Sequence, residues 1–282
     1  MRLLLPVWHF PGIARGSLSA TNMTELRYDE EATQRLLAVY VTPDVVTQRQ
    51  QFLRALNPRT GESVLDVGSG PGFLAASIAE ATGSAGSVSG VDISGPMIDL
   101  ARDHCAHQPW AEFSQADATK LPFPNHSFDA AISTQVLEYV HDVDEALAEI
   151  HRVVRLAGRV VVVDTDWDSI VWHAADRERM SRVLAAWEKH AADPHLPRTL
   201  VDRLSHAGFH VESQEIIPLF NPSFDPNTYS NRLVDLIVPF VTGCDGIDSD
   251  EANSWAAGLR KAGHDGQYFF SLNRYMFVAR RN

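Results

Sequence analysis

The residues best suited to chemistry by type and spacing are Asp66-Val67-Gly68-Ser69-Gly70-Pro71-Gly72. Three glycines two apart clear side chains from a bend, so the main chain can take unusual dihedrals and press close to a ligand. About 20 residues further on, Asp92 in Val91-Asp92-Ile93 supplies a carboxylate able to accept two hydrogen bonds from a ribose diol. Asp117 in Gln115-Ala116-Asp117-Ala118 supplies an acceptor for an adenine amino group, and the Ala118 amide a donor for the ring; a turn or helix-cap role is the alternative for Asp117. A dinucleotide fingerprint would place its third glycine where Phe73 stands, and a P-loop would need Gly-Lys-Ser/Thr; neither is present.

These residues fall at the ends of predicted strands. Ser63–Val67 reads as a strand, Phe73–Thr82 as a helix, Ser87–Asp92 as the next strand and Pro96–Cys105 as a helix capped by Ser94, which makes a βαβ unit. Strands over Ala111–Gln115 and Ser127–Ser133 follow. A helix over Val143–Leu156 comes next, opened by Asp142 with Glu145 three residues later and closed by Gly158. Val160-Val161-Val162-Val163 marks a fifth strand covered on both faces. The alternation predicts a Rossmann-like, doubly wound, mostly parallel α/β sheet of seven strands, whose ligands bind at the carboxyl ends. Helices over Arg177–His190 and Leu200–Ala207, a strand over His210–Leu219 and a last strand over Tyr268–Ala279 complete it. The expected organisation is a leader over 1–24, an N-terminal helical cap over 25–57, the core over 58–220, a helical substrate lid over 221–266 and the final core strand over 267–282.

At this point the chain resembles the class I S-adenosylmethionine (SAM)-dependent methyltransferases, in particular the small-molecule group related to quinone biosynthesis. Val64 to Gly72 is similar to their first motif, Gly90 to Ser94 to their acidic loop, Asp117-Ala118 with Leu121-Pro122-Phe123 to their adenine-contacting motif, and Phe128–Ser133 with Leu137-Glu138-Tyr139-Val140 to their fourth. Leu156-Ala157-Gly158-Arg159 departs from the usual Pro-Gly-Gly. The resemblance implies SAM as cofactor, with Asp66 and Gly68 facing its amino-acid part, Asp92 its ribose, and Asp117 with Ala118 its adenine. Ser69, Gly70, Gly72, Ile93 and Ser133 complete the expected cofactor contacts. Beyond Asp164 it is architectural only.

Methyl transfer from a sulfonium requires orienting a nucleophile and excluding water, and an acidic nucleophile also needs a base. Asp164-Thr165-Asp166-Trp167-Asp168, followed by Trp172-His173, is the expected acceptor-side cluster, with Asp166 and His173 as catalytic candidates. Its alternative is a polar loop with both indoles buried against the lid. His141 is the third candidate, since residues after the fourth strand lie near the reactive end of the cofactor in such folds; a solvent-exposed helix start is its alternative. Tyr28 and Tyr40 are equally explained as a cofactor cover or as a helical core face.

The chain of 282 residues, 45% hydrophobic and 21% charged, has enough apolar residues for a full core. Twenty-four Lys+Arg against 36 Asp+Glu give a net charge of −12, which argues against nucleic acid as a partner. Two cysteines far apart, and 12 histidines without an HExxH spacing, indicate no metal and no disulfide framework, and a cytoplasmic setting follows. No run approaches the roughly 18 apolar residues that span a bilayer. Met1–Ala20 reads as a disordered leader ahead of an alternative start at Met23, with a secretory leader as the other reading. The partner expected is a small organic substrate, with a homodimer allowed for. Two alternatives to methyl transfer are a SAM-binding protein without it and an NAD(P)-dependent oxidoreductase.

Overall fold

The four consecutive valines of Val160–Val163 sit in the middle of the sheet and divide their side chains between its two faces. A computed structural model describes residues 30–282; the expectations for the leader, Met23 and Tyr28 lie outside them. Val160 and Val162 pack with Leu147, Ile150 and Leu204, while Val161 and Val163 pack with Phe52, Leu56 and Ile78. Each such side chain removed from water contributes roughly 1.5–3 kcal/mol.

Eight strands form one sheet: β1 (Ser63–Val67), β2 (Ser87–Asp92), β3 (Ala111–Gln115), β4 (Phe128–Thr134), β5 (Val154–Thr165), β6 (Val171–Trp172), β7 (Phe209–Asn221) and β8 (Phe270–Arg281). The first five are parallel in the order β3-β2-β1-β4-β5, and β8 pairs antiparallel with β5, β6 and β7. The two-residue β6 is the addition to the seven strands expected. The order reverses between β1 and β4, and the glycine segment follows β1 there, at the crevice such sheets offer to ligands.

Helices α1 (Glu30–Tyr40), α2 (Pro43–Leu56), α3 (Phe73–Thr82), α4 (Gly95–His104), α5 (Val143–Val153) and α7 (Leu200–His206) flank the sheet or its entry. Helices α6 (Arg177–Trp187), α8 (Tyr229–Val241) and α9 (Ser249–His264) form a cap whose Met180, Val183, Leu233, Ile237, Trp255 and Leu259 share one apolar cluster with Trp172, Phe270 and Leu272 of the sheet. Helix α6 thus joins the cap that was expected from residues 221–266 alone.

Several element ends shift by a few residues from the sequence reading, and at the end of α5 and the start of α4 the cause is visible. Helix α5 opens as expected, with Asp142 accepting the Glu145 amide at 3.0 Å, but it ends at Val153. Val154 already pairs with Phe128, and Ala157 at φ 58 carries the irregularity before Gly158; sheet pairing with β4 outweighs local helical spacing. Ser94 stands at the cap position of α4 without a side-chain bond, and the Asp92 carboxylate takes the Ser94 amide instead, at 2.8 Å.

Candidate active site

The glycine segment is tied down by main chain before any side chain is considered. The Gly68 and Ser69 amides donate to the Val91 carbonyl at 2.7 and 2.9 Å, so the bend is fastened to the end of β2. Gly68 has φ 70, and a Cβ there would meet Val136 Cγ2 at 2.1 Å, so only glycine fits between the loop and the segment after β4. At Gly70, φ 51, an added Cβ would meet nothing closer than the Tyr40 hydroxyl at 3.6 Å. Space therefore remains between this glycine and α1, where a ligand can lie against bare backbone.

Asp92 links loop to helix. One of its oxygens accepts the Gly70 amide at 2.9 Å and the other the Ser94 amide, which leaves further lone pairs on each for a diol. Burial raises its carboxyl above the ordinary range, against the pull of those two amides. Asp66, fully buried, is pushed up to about 7 by burial and then by the charge of Asp92. Its Oδ2 has no partner, nor do the buried hydroxyls of Ser69 and Ser133. A buried carboxylate oxygen without a partner is costly, and an ammonium placed there would offset that cost.

The remaining cofactor candidates sit at the rim. Ile93, 69% exposed, holds an apolar side chain at the end of β2 where a planar base could cover it. Asp117 is exposed and accepts the Thr119 amide and hydroxyl on Oδ1, each at 2.8 Å, so the turn role is filled while Oδ2 stays available. Ala118 is half-buried beside it, and Gly72 closes the loop by donating to the Ser69 carbonyl. Phe73, in place of a third fingerprint glycine, packs edge-on against His104 with centroids 4.6 Å apart and takes the Arg49 guanidinium over its ring. These residues fit SAM: a carboxylate for its ammonium, one for its ribose, and an exposed apolar face with an acceptor for its adenine.

The acceptor-side candidates separate in the fold. Asp166 caps a 3-10 turn and is gripped through both oxygens by Arg198, at 2.8 and 3.0 Å, with His195 at 3.1 Å. Asp168 pairs with the same guanidinium. Among the described residues, Asp166, Asp168 and His195 bring ligand atoms within 4.8 Å of one another, but Arg198 already supplies the positive charge a metal would bring. Trp172 is buried in the cap, donating to the Tyr268 hydroxyl, while His173 is exposed where β6 ends. His141 is exposed just before α5.

Two carboxylates of the same region turn inward instead. Glu138 and Asp164 are wholly buried. Glu138 follows β4 and accepts the Thr165 amide at 2.9 Å; Asp164 ends β5 and accepts the Val136 amide at 3.1 Å and the Glu138 amide at 3.3 Å. Arg274 of β8 is buried opposite Thr165, donating to Gln48 at 2.7 Å and lying over the Tyr229 ring. His190 is buried against Trp187 and Trp167; its Nδ1 meets the Trp187 carbonyl at 2.5 Å, and burial lowers it to about 4. The sequence reading assigned no role to Glu138, Arg274 or His190. An arginine in register with Phe270 and Leu272 on the buried face of β8 was the available signal.

Residues 65–162 match the family model described as a methyltransferase domain. An uncharacterized 37.1 kDa protein in transposon TN4556 of Streptomyces fradiae is 39% identical over 142 residues, 50% of this chain and 40% of that protein. The ubiquinone/menaquinone biosynthesis C-methyltransferase UbiE of Pseudomonas fluorescens is 38% identical over 109 residues, 38% of this chain and 43% of the relative. The chain thus spans less than half the length of these curated relatives. Among solved structures, phosphoethanolamine N-methyltransferase 2 of Haemonchus contortus in complex with S-adenosyl-L-methionine superposes with a TM-score of 0.59 at 17% identity, covering 90% of this chain and 57% of that one. The [4+2]-cyclase SpnF gives 0.56 at 22%, covering 84% and 81%. At such identities the likeness is one of fold, and a fold that hosts both a cyclase and an N-methyltransferase does not fix the reaction. Over residues 65–162 the chain is thus similar to methyltransferase domains, and the loop of Asp66, Gly68, Gly70 and Asp92 that fits SAM lies within that match.

Proposed function

We propose that this protein binds SAM across the ends of β1, β2 and β3 and moves its methyl group to an O, N or C atom of a small organic acceptor held beneath the α6–α8–α9 cap. The observation that carries the reading is Asp92: a carboxylate one strand over from the glycine bend, fixed by the Gly70 and Ser94 amides. SAM supplies an activated methyl carbon with a good thioether leaving group. The chain then has to orient the acceptor and keep water out, which suits a cap packed on the sheet through an apolar cluster.

Asp66, Gly68, Ser69, Gly70, Gly72, Asp92, Ile93, Asp117, Ala118 and Ser133 form the proposed cofactor contacts. Among the three catalytic candidates, Asp166 serves to hold Arg198 and His195, His173 is exposed after β6, and His141, exposed before α5, stays the candidate base of the sequence reading. No helix among the described residues is long and apolar enough to cross a membrane. A cytoplasmic setting fits Cys105 and Cys244, both free thiols. Absence of a nucleic-acid partner fits the net charge of −12, and assembly as a homodimer is the oligomeric reading to be tested by sedimentation.

Incubation with methyl-labelled SAM and a host metabolite extract, followed by mass spectrometry, should reveal a product heavier by one labelled methyl. Tight SAM binding with no product from any extract would favour a SAM-binding protein without transfer, the possibility to which the cyclase fold neighbour is relevant. Thermal protection by NADH in place of SAM would favour an oxidoreductase.

A further inference from the structure

Beneath the cap, the ends of β4 and β5 and the start of β8 enclose two acids and one guanidinium. Glu138 and Asp164 are wholly buried and Arg274 nearly so. Each acid has one oxygen held by backbone amides and the Tyr139 side chain also favours the charged form of Glu138, while Glu138 Oε1, Asp164 Oδ2 and Arg274 Nε have no hydrogen-bond partner. Arg274 is committed to Gln48 and to the Tyr229 ring. Of the other charged groups, Asp44 near Tyr229 is satisfied by the Val45 and Tyr229 amides and the Asn221 side chain, and Arg49, within reach of the Arg274 charge, donates to the Tyr40 carbonyl at 2.7 Å. With both acids ionised, the one guanidinium would leave a carboxylate charge unbalanced, so the pair needs either a proton or a second cation.

We propose that the unpartnered oxygens of Glu138 and Asp164 receive the ammonium of the methyl acceptor, which makes the acceptor an amine and Glu138 the group that takes its proton. This rests on the methyltransferase reading above and narrows it. A hydroxyl acceptor brings one hydrogen and no charge, so the pair would have to keep its proton and could not act as a base in its ionised form. An ammonium brings three N–H donors, enough for both oxygens, and carries the charge that lets both acids ionise. Burial raises the Glu138 carboxyl, and burial followed by the Glu138 charge raises that of Asp164, so the ligand-free pair retains a proton that an incoming cation would displace. In the reaction the bound ammonium gives one proton to Glu138. The freed nitrogen pair forms the N–C bond as the C–S bond of SAM breaks with its electrons on sulfur, and the products are a methylammonium, the thioether and one proton for solvent.

The test uses the full chain with S-adenosylhomocysteine (SAH) in the cofactor site, so that the ammonium of SAM cannot be mistaken for that of the acceptor. Ethylamine and benzylamine are titrated against ethanol and benzyl alcohol by calorimetry at pH 7, in two buffers of different ionisation enthalpy. Each amine should bind at least tenfold more tightly than its alcohol and release about one proton per site. Glu138→Gln should abolish the release and weaken the amine at least tenfold, with SAH affinity held within twofold. The proton count on the unaltered protein stands on its own if that variant does not fold. Alcohols binding as well as amines, or SAH binding with no amine following, would overturn the proposal and leave the methyltransferase reading intact. Failure to bind SAH would overturn that reading itself.

Discussion

Asp92 and the Glu138–Asp164 pair lie at the ends of strands in one sheet, yet the fold uses their carboxylates in opposite ways. Asp92 has both oxygens engaged by the amides of Gly70 and Ser94, so its carboxylate is pre-oriented and keeps lone pairs for the proposed ribose contact. Glu138 and Asp164 each keep an oxygen unpartnered in the interior, and Arg274 acts on the charge of Glu138 alone. The proposed cofactor side is thus built from main chain and a local bend, and the proposed acceptor side from side chains delivered by distant segments. A site of the first kind is rigid and general, while one of the second kind is specific and depends on a proton or a ligand cation for charge balance.

The comparison breaks most severely at Gly68. In Gly68→Ala the new Cβ falls on Val136 and the residue must hold φ 70, which together cost roughly 2–5 kcal/mol from strain and overpacking. A clear fall in Tm should accompany loss of measurable SAM binding by calorimetry. Unchanged SAM affinity would mean that the bend does not shape the cofactor site. Asp92→Ala comes next: it removes a charged acceptor of two backbone amides and of the proposed ribose diol, and should weaken SAM by roughly 2–4 kcal/mol. Equal affinity in the variant would remove Asp92 from the site.

How far the sequence could be read follows the same division. The bend, Asp92 and Asp117 lie within one strand-helix-strand rhythm, where glycine spacing and strand ends are local signals, and the structure places each of them at a strand end. The acceptor side was legible only in part. Asp164 was included in the expected cluster, but Asp166 and Asp168 are claimed by Arg198, an arginine thirty or so residues away that no local pattern pairs with them. Glu138 lies in an apolar run, and Arg274 reaches it from the last strand; nothing short of the assembled sheet joins the two. The end of α5 was misread for a related reason, because pairing of Val154 with Phe128 is a tertiary fact.

A smaller effect is carried by pH. Between 3.8 and about 7 the folded chain holds a proton on Asp66 that the unfolded chain has lost. This group therefore makes folding less favourable as pH rises through that window, by at most about 1.4 kcal/mol per pH unit. SAM affinity should move the other way, since its ammonium favours the ionised carboxylate: binding strengthens as pH rises toward about 7 and levels off above it. Asp66→Asn should flatten both trends, and calorimetry with chemical melts from pH 5 to 8 would show it. An unaltered pH dependence in the variant would assign the proton elsewhere.

The smallest effect separates the two acids that Arg198 holds. Asp166 is largely buried and binds that guanidinium through both oxygens, besides accepting the Asp168 amide and meeting His195. Asp168 is 53% exposed and meets Arg198 through one oxygen. An exposed ion pair gains little because water already solvates both charges, whereas removing charge from the buried partner leaves a bidentate arrangement without its acceptor. Asp168→Asn should leave Tm close to that of the unaltered protein, and Asp166→Asn should lower it clearly, while SAM affinity stays the same in both. If Asp166→Asn instead kept its Tm and lost turnover of the labelled methyl, Asp166 would belong to the chemistry rather than to the turn after β5, and the acceptor site would extend to the surface that Arg198 now covers.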